Sequence, residues 1–176
     1  LDVIDRTKFP SADNVEKGAY TLWQNTDAVP SLILIASGSE VSLALKAAKE
    51  LSTETTVRVV SMPSWELFEK QSEDYRKQVL PAGTKVKIAV EAGISMGWSK
   101  YTGHPDSCVC MKGFGKSAPC KELEKLFGFT VENVVSVAPH IESFVLASNG
   151  TQAKGVALLA IDPEKEKRFS NPENKL

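Results

Sequence analysis

The sequence predicts a three-layer α/β/α domain built on a mostly parallel sheet. Three observations carry this. Ser31–Ala36 is an unbroken apolar run, 40–51 directly behind it has the spacing of an amphipathic helix, and 57–62 is a second, valine-rich strand stopped by Pro63. Strand, helix and strand with short joints form a βαβ unit, which needs a parallel sheet. Each right-handed crossover carries its helix onto a face of the sheet, so repeating the unit covers both faces.

Residues 1–17 are polar and aperiodic and contain Pro10, which reads as a linker or arm from a preceding domain. Gly18–Trp23 alternates weakly, as an edge strand does. Ser31–Ala36 has no polar alternation, so it is expected to be a strand buried on both faces. In the helix from Glu40 to Leu51, Val41, Leu45, Ala48 and Leu51 share one face, while Glu40, Lys46, Lys49 and Glu50 point mostly away from it. Ser39 is the expected N-cap, with its hydroxyl accepting from a first-turn amide. After the strand Val57–Met62, Ser64 and Ser72 are placed to cap short helices reaching about Lys70 and Leu80. Val86–Val90 and Cys108–Met111 are two further parallel-type strands, with an irregular stretch and a short helical turn at 93–103 between them. Ser117-Ala118-Pro119 opens another helix, Ser at the cap and Pro in the first turn, running to Phe127 and closed by Gly128. Thr130 caps the next helix, which turns Val131, Val134, Val135 and Ala138 inward and is interrupted at Pro139. Gly155–Ile161 is a late, extra strand, and the tail from Asp162 is charged and contains proline.

Composition narrows the function. The 176 residues are 42% hydrophobic and 24% charged, enough for one domain with a core and short for two. With 21 basic against 22 acidic residues the net charge is −1, which supplies no attraction to nucleic acid or an anionic membrane. No apolar run reaches membrane-spanning length. The start, Leu1-Asp2-Val3-Ile4, has no signal-peptide pattern and reads as a piece of a longer chain. Three cysteines, an odd number, suit a reducing compartment such as the cytoplasm. Asn149-Gly150-Thr151 matches a glycosylation acceptor and is read as a turn.

Few motifs carry chemistry. Gly115-Lys116-Ser117 has the end of a phosphate-binding loop, but the glycine that the full pattern needs five residues earlier is Cys110. His104, Cys108, Cys110 and Cys120 lack metal-ligand spacing, and Cys108 and Cys110, two apart on a strand, read as small core residues. Ser37, Gly38 and Ser39 stand at a helix start beyond a strand, where amides and dipole suit an anion, although a plain cap is the preferred reading. Glu91 ends a buried strand at the edge where α/β sites form, or else serves local hydrogen bonding or domain contact. These four residues are the candidate anion or contact site, and no catalytic, cofactor or metal residue is assigned. Trp65, Trp98 and Tyr101 mark either a docking surface or a core anchor.

An ordered set of segments resembles one family. Ile35-Ala36-Ser37-Gly38-Ser39-Glu40-Val41, then Ser61-Met62-Pro63-Ser64-Trp65-Glu66-Leu67-Phe68, are similar to transketolase C-terminal domains. So are Val90-Glu91-Ala92-Gly93, the pair Gly97-Trp98 with Lys100-Tyr101 and Gly103, and Ser117-Ala118-Pro119 behind Phe114-Gly115. Phe127-Gly128-Phe129-Thr130-Val131 continues the match, which is collinear from about Val15 to Val137. The resemblance implies a mixed, mostly parallel five-stranded sheet with one antiparallel strand at Gly18–Gln24. The organisation expected along the chain is an arm at 1–17 from the preceding domain, a domain over 18–162 and a polar tail at 163–176.

The resemblance also implies a cytoplasmic homodimeric enzyme of the pentose phosphate pathway. Such an enzyme moves a two-carbon ketol unit from a ketose phosphate to an aldose phosphate. Thiamine diphosphate and Mg2+ (or Ca2+) would be held by two preceding domains and a second subunit, with no cofactor in this chain, which alone is expected to be inactive. The third domain supplies scaffold and subunit contacts. Two alternatives stand beside this: an independent anion- or sugar-phosphate-binding regulatory module, and the same domain of a dihydroxyacetone synthase-like relative. The stretch from about Ala138 onward extends past the family pattern.

Overall fold

The computed structural model describes residues 3–138 and the backbone of two strands, 142–148 and 153–159. The chain divides into two compact units, Leu1–Ala138 and Pro139–Leu176. In the first, β1 (Tyr20–Gln24), β2 (Leu32–Ala36), β3 (Val57–Ser61), β4 (Val86–Glu91) and β5 (Cys108–Cys110) form one sheet in the order β1-β3-β2-β4-β5. β2 pairs in parallel with β3 and with β4, and β4 with β5; β1 alone is antiparallel, against β3. The mixed five-stranded sheet expected from the sequence is therefore present, with the antiparallel strand at its edge. Its register shifts between Thr21 and Trp23, the signature of a bulge, which twists an edge strand locally.

The two faces of the sheet follow from the alternation of side chains along its strands. Leu34, Val59, Ile88 and Val90 lie in one core cluster with Val41, Ala44, Leu45 and Ala48 of α1 (Glu40–Leu51). Val134 of α6 (Val131–Val137) completes that layer and is fully buried. Ile33, Ile35, Val60 and Ala89 project to the other face, under α2 (Trp65–Glu69), α3 (Glu73–Val79) and α4 (Ser99–Thr102). Phe68, Val79, Trp98 and Tyr101 from those helices fill the second core. β2, at the centre, is buried at all five positions, as its unbroken apolar run predicts.

Several local expectations hold. Ser64 and Ser72 accept from the amides of Leu67 and Tyr75 at 3.3 and 3.2 Å. Thr130 accepts from Asn133 at 3.3 Å, and Gly128 closes α5 (Cys120–Phe127) in the left-handed conformation. Two caps are corrected. Ser39 makes no capping hydrogen bond: its backbone is already helical, and its hydroxyl donates to Glu40 Oε1 at 2.8 Å. Ser117 is not the cap of α5 either. Pro119 occupies the cap position itself at ψ 141, and its carbonyl accepts from Glu122 and Leu123, so the helix begins later than expected.

The N-terminal arm ends in a 3-10 turn, Ala12–Lys17, and Ile4 and Phe9 pack against the first core. Arg6 donates to the Tyr20 hydroxyl at 3.1 Å. In the second unit, β6 (Glu142–Ser148) and β7 (Ala153–Leu159) pair antiparallel in a two-stranded sheet of their own. β7 is the late strand the sequence predicts; β6 is an element it does not. The Asn149-Gly150 turn and the tail from Asp162 lie outside the described residues.

Candidate functional site

The candidate residues meet at the C-terminal edge of the parallel strands. β2 and β4 are neighbours, and Ala36 stands opposite Val90. Ser37 and Glu91 therefore leave the sheet side by side, and Ser37 Oγ donates to Glu91 Oε2 at 2.7 Å. Glu91 is half-buried, so a charge-assisted bond of this length matters to it. Gly38, at φ +50, carries the chain from β2 into α1. Ser37 and Glu91 thus come together, while Ser39 is turned to Glu40. With a carboxylate occupying the Ser37 hydroxyl, the cluster has less room for an anion than the sequence suggests.

Beside it, Cys110 faces the second core with Cys108 on the same strand face. Burial first, then the neighbouring Cys108 thiol and the charge of Glu91, push the Cys110 thiol up to about 12. It is a poor nucleophile and a core filler. Cys120 is exposed, with its thiol pushed up by the hydrogen bond to Glu124. Among the described residues no three His, Cys, Asp or Glu side chains are grouped to hold a metal ion. Gly115, Lys116 and Ser117 lie exposed in an irregular link and form no cradle.

The aromatic residues resolve as a cluster. Trp98 and Tyr101 are buried, and Trp65 packs edge-on to Trp98 with ring centroids 5.0 Å apart. Gly97, at φ +91, lets the main chain meet the Trp65 ring directly: a Cβ there would lie 2.6 Å from it. Glu69 lies next to this cluster and bridges two helices, at 3.0 Å from Lys100 Nζ and 3.1 Å from Arg76 Nη1. The Lys100 ammonium first, then the Tyr101 hydroxyl and the charge of Arg76, hold the Glu69 carboxyl below the usual range. Burial first, then the hydrogen bond with Glu69 and its charge, push the Tyr101 hydroxyl upward. Sequence reasoning does not find Glu69, because its partners lie 7 and 31 positions away on separate helices.

A further surface stands at the same C-terminal edge. The loops after β4 and β5 are joined by a hydrogen bond from Met111 N to Gly93 O at 2.8 Å. They carry Ile94, Met96 and Phe114, which are 62%, 75% and 98% exposed. Single exposed apolar residues need no explanation, but three on two loops tied together at one sheet edge are suited to contact with other protein. Among the described residues no helix is long and apolar enough to cross a membrane.

Comparison with known proteins matches this fold and these residues to one family. A family profile described as the transketolase-like C-terminal domain matches residues 18–130. The chain is 50% identical over 129 residues to transketolase 2 of Vibrio parahaemolyticus, covering 73% of this chain and 19% of that protein. It is 47% identical over 137 residues to the transketolase of Bacillus subtilis, covering 77% and 20%. Among solved structures, the transketolase of Leishmania mexicana is 52% identical with a TM-score of 0.64, over 70% of this chain and 18% of that one. The Pichia stipitis transketolase, solved in complex with sedoheptulose 7-phosphate, is 41% identical with a TM-score of 0.67, over 74% and 19%. The chain spans about a fifth of the length of these relatives.

Proposed function

The chain belongs to the family of transketolase-like C-terminal domains, and on that premise we propose that it is the non-catalytic scaffold and contact domain of a transketolase. The whole enzyme transfers a two-carbon ketol unit from a ketose phosphate to an aldose phosphate in the pentose phosphate pathway of the cytoplasm. Thiamine diphosphate and a divalent cation supply the carbanion chemistry, held by two other domains and a second subunit of a homodimer. In this reading residues 1–17 lead in from the preceding domain, 18–162 form the domain, and the polar tail follows.

The residues described here do not fit that cofactor. No carboxylate cluster suits its metal, and Glu91, the acid at the strand edge, is engaged by Ser37. No step of ketol transfer is therefore routed through this chain. The Ser37–Glu91 pair ties the turn after β2 to the end of β4, whose following loop carries Ile94 and Met96.

The observation that carries the proposal is the exposure of Ile94, Met96 and Phe114. Burying side chains of this size is worth about 1.5–3 kcal/mol each relative to exposure, an incentive for docking that a free-standing domain would not retain. The experiment is an assay of the purified chain with thiamine diphosphate, magnesium, a ketose phosphate and an aldose phosphate. No turnover above buffer is expected, while addition of transketolase lacking its C-terminal domain should give a complex that Phe114→Asp weakens. Turnover by the chain alone refutes the proposal, as does association indifferent to Phe114→Asp.

A further inference from the structure

Two open grooves adjoin on the face of the sheet covered by α2, α3 and α4, and both are lined by Glu69, Lys100 and Tyr101. The first, about 420 Å3, is cationic. Arg76 and Lys77 of α3, Lys87 of β4 and Lys100 of α4 face two carboxylates, Glu69 and Glu73. Those two acids engage three of the cations, since Glu69 takes Arg76 and Lys100 and Glu73 takes Lys77. Lys87, half-buried, has no ion pair among the described residues. Arg76 Nε is buried without an acceptor, and an orphan donor of this kind is costly and rare. Both features favour an added anion, and a guanidinium beside an ammonium suits the tetrahedral oxygens of phosphate.

The second groove, about 620 Å3, is mostly apolar and is walled by Trp65, Tyr101 and the main chain at Gly97, with Glu66 and Ser99 also in its lining. Trp65 is partly exposed and held in place, edge-on to Trp98 and pressed against the Gly97 backbone. A fixed, half-open indole is a surface on which a flat ring can stack. A ligand that fills both grooves carries negative charge at one end and a ring at the other.

We propose that the joined grooves bind a small aromatic phosphate monoester, its phosphate at Lys87 and Arg76 and its ring on Trp65. The site lies on this chain alone and does not depend on the domain-contact reading. Failure of either leaves the other standing.

The test titrates the 176-residue chain with phenyl phosphate at low salt, followed by tryptophan fluorescence and calorimetry. Saturable binding with a Kd below about 1 mM is expected. Lys87→Met should weaken it about fivefold or more, and Trp65→Leu similarly, with circular dichroism confirming that each variant is folded. Lys85→Met, removing an exposed cation outside the groove, should leave binding unchanged. Inorganic phosphate and phenol, the two halves, should each bind at least about tenfold more weakly than the joined molecule. No saturable signal, equal binding of inorganic phosphate, indifference to Lys87→Met, or an equal loss with Lys85→Met would each overturn the proposal.

Discussion

Gly18→Ala tests how tightly the edge strand is locked onto the helical layer. Gly18 links the N-terminal 3-10 turn to β1 at φ +79. A Cβ at this position lies 2.2 Å from the amide nitrogen of Phe68 and 2.4 Å from the carbonyl oxygen of Ser64. Both atoms belong to main chain, so no side chain can swing aside. The contact is fixed further by the hydrogen bond from Ser64 N to Gly18 O at 3.0 Å. Alanine in a left-handed conformation costs ~1–2 kcal/mol. Displacing the start of α2 adds ~1–3 kcal/mol, the range for overpacking a well-filled site. The expected loss is therefore ~2–5 kcal/mol. Gly103→Ala is the matched control: φ is +85, but a Cβ there meets nothing within 4 Å, so only the conformational cost of ~1–2 kcal/mol applies. Urea unfolding followed by tryptophan fluorescence measures both, because all three tryptophans, at 23, 65 and 98, lie in the first unit. Each kcal/mol corresponds to a Tm change of ~2–4 °C for a chain of this size. Equal losses in the two variants would show that the close approach at Gly18 is absent and would refute the packing argument.

Two further outcomes follow from the pairs described above. In a double-mutant cycle, Ser37→Ala and Glu91→Gln should show a coupling of ~1 kcal/mol, as expected for a half-buried charge-assisted hydrogen bond; additive losses would mean that the 2.7 Å contact contributes nothing. Glu69 has its folded-state pKa depressed by Lys100, Tyr101 and Arg76, so its contribution is fully present above the ordinary carboxylate value of 4.5 and is lost as pH falls through the lower folded value. The gap in stability between the parent chain and Glu69→Gln should therefore be widest near neutrality and close on acidification, and thermal melts showing a gap independent of pH would contradict it.

What the sequence reveals depends on how far apart the interacting residues are. β2 is legible because a strand buried on both faces must be apolar at every position, and α1 because a helix against one face must repeat its apolar residues at helical spacing. The cap at Ser39 is misread because the pattern of a serine before a helix says nothing of backbone conformation. With Gly38 at φ +50, Ser39 has already entered the helical region, and its hydroxyl cannot reach back to the first amides. Pro119 is misplaced for a related reason: its fixed φ of −54 suits both the first helical position and an extended cap, and ψ decides between them. The pairing of Ser37 with Glu91 spans 54 positions and requires β4 to add beside β2 on the side away from β3. The order of strands is a property of the assembled sheet, so the residues can be nominated separately but not joined.

The loops after β4 and β5 depend on strand order in the same way. In sequence, Ile94, Met96 and Phe114 look like ordinary loop content. Only the parallel pairing of β4 and β5 brings the two loops that carry them to one edge of the sheet. A domain selected to stand alone gains nothing from Phe114 in water at the rim of its sheet, whereas polar residues there would cost the core nothing. The two interior clusters are complete without these three side chains, because none of them belongs to either cluster. The proposed contact role therefore rests on them and not on the edge carboxylate. Exchanging them for polar residues should leave the unfolding transition unchanged while abolishing association with the rest of a transketolase.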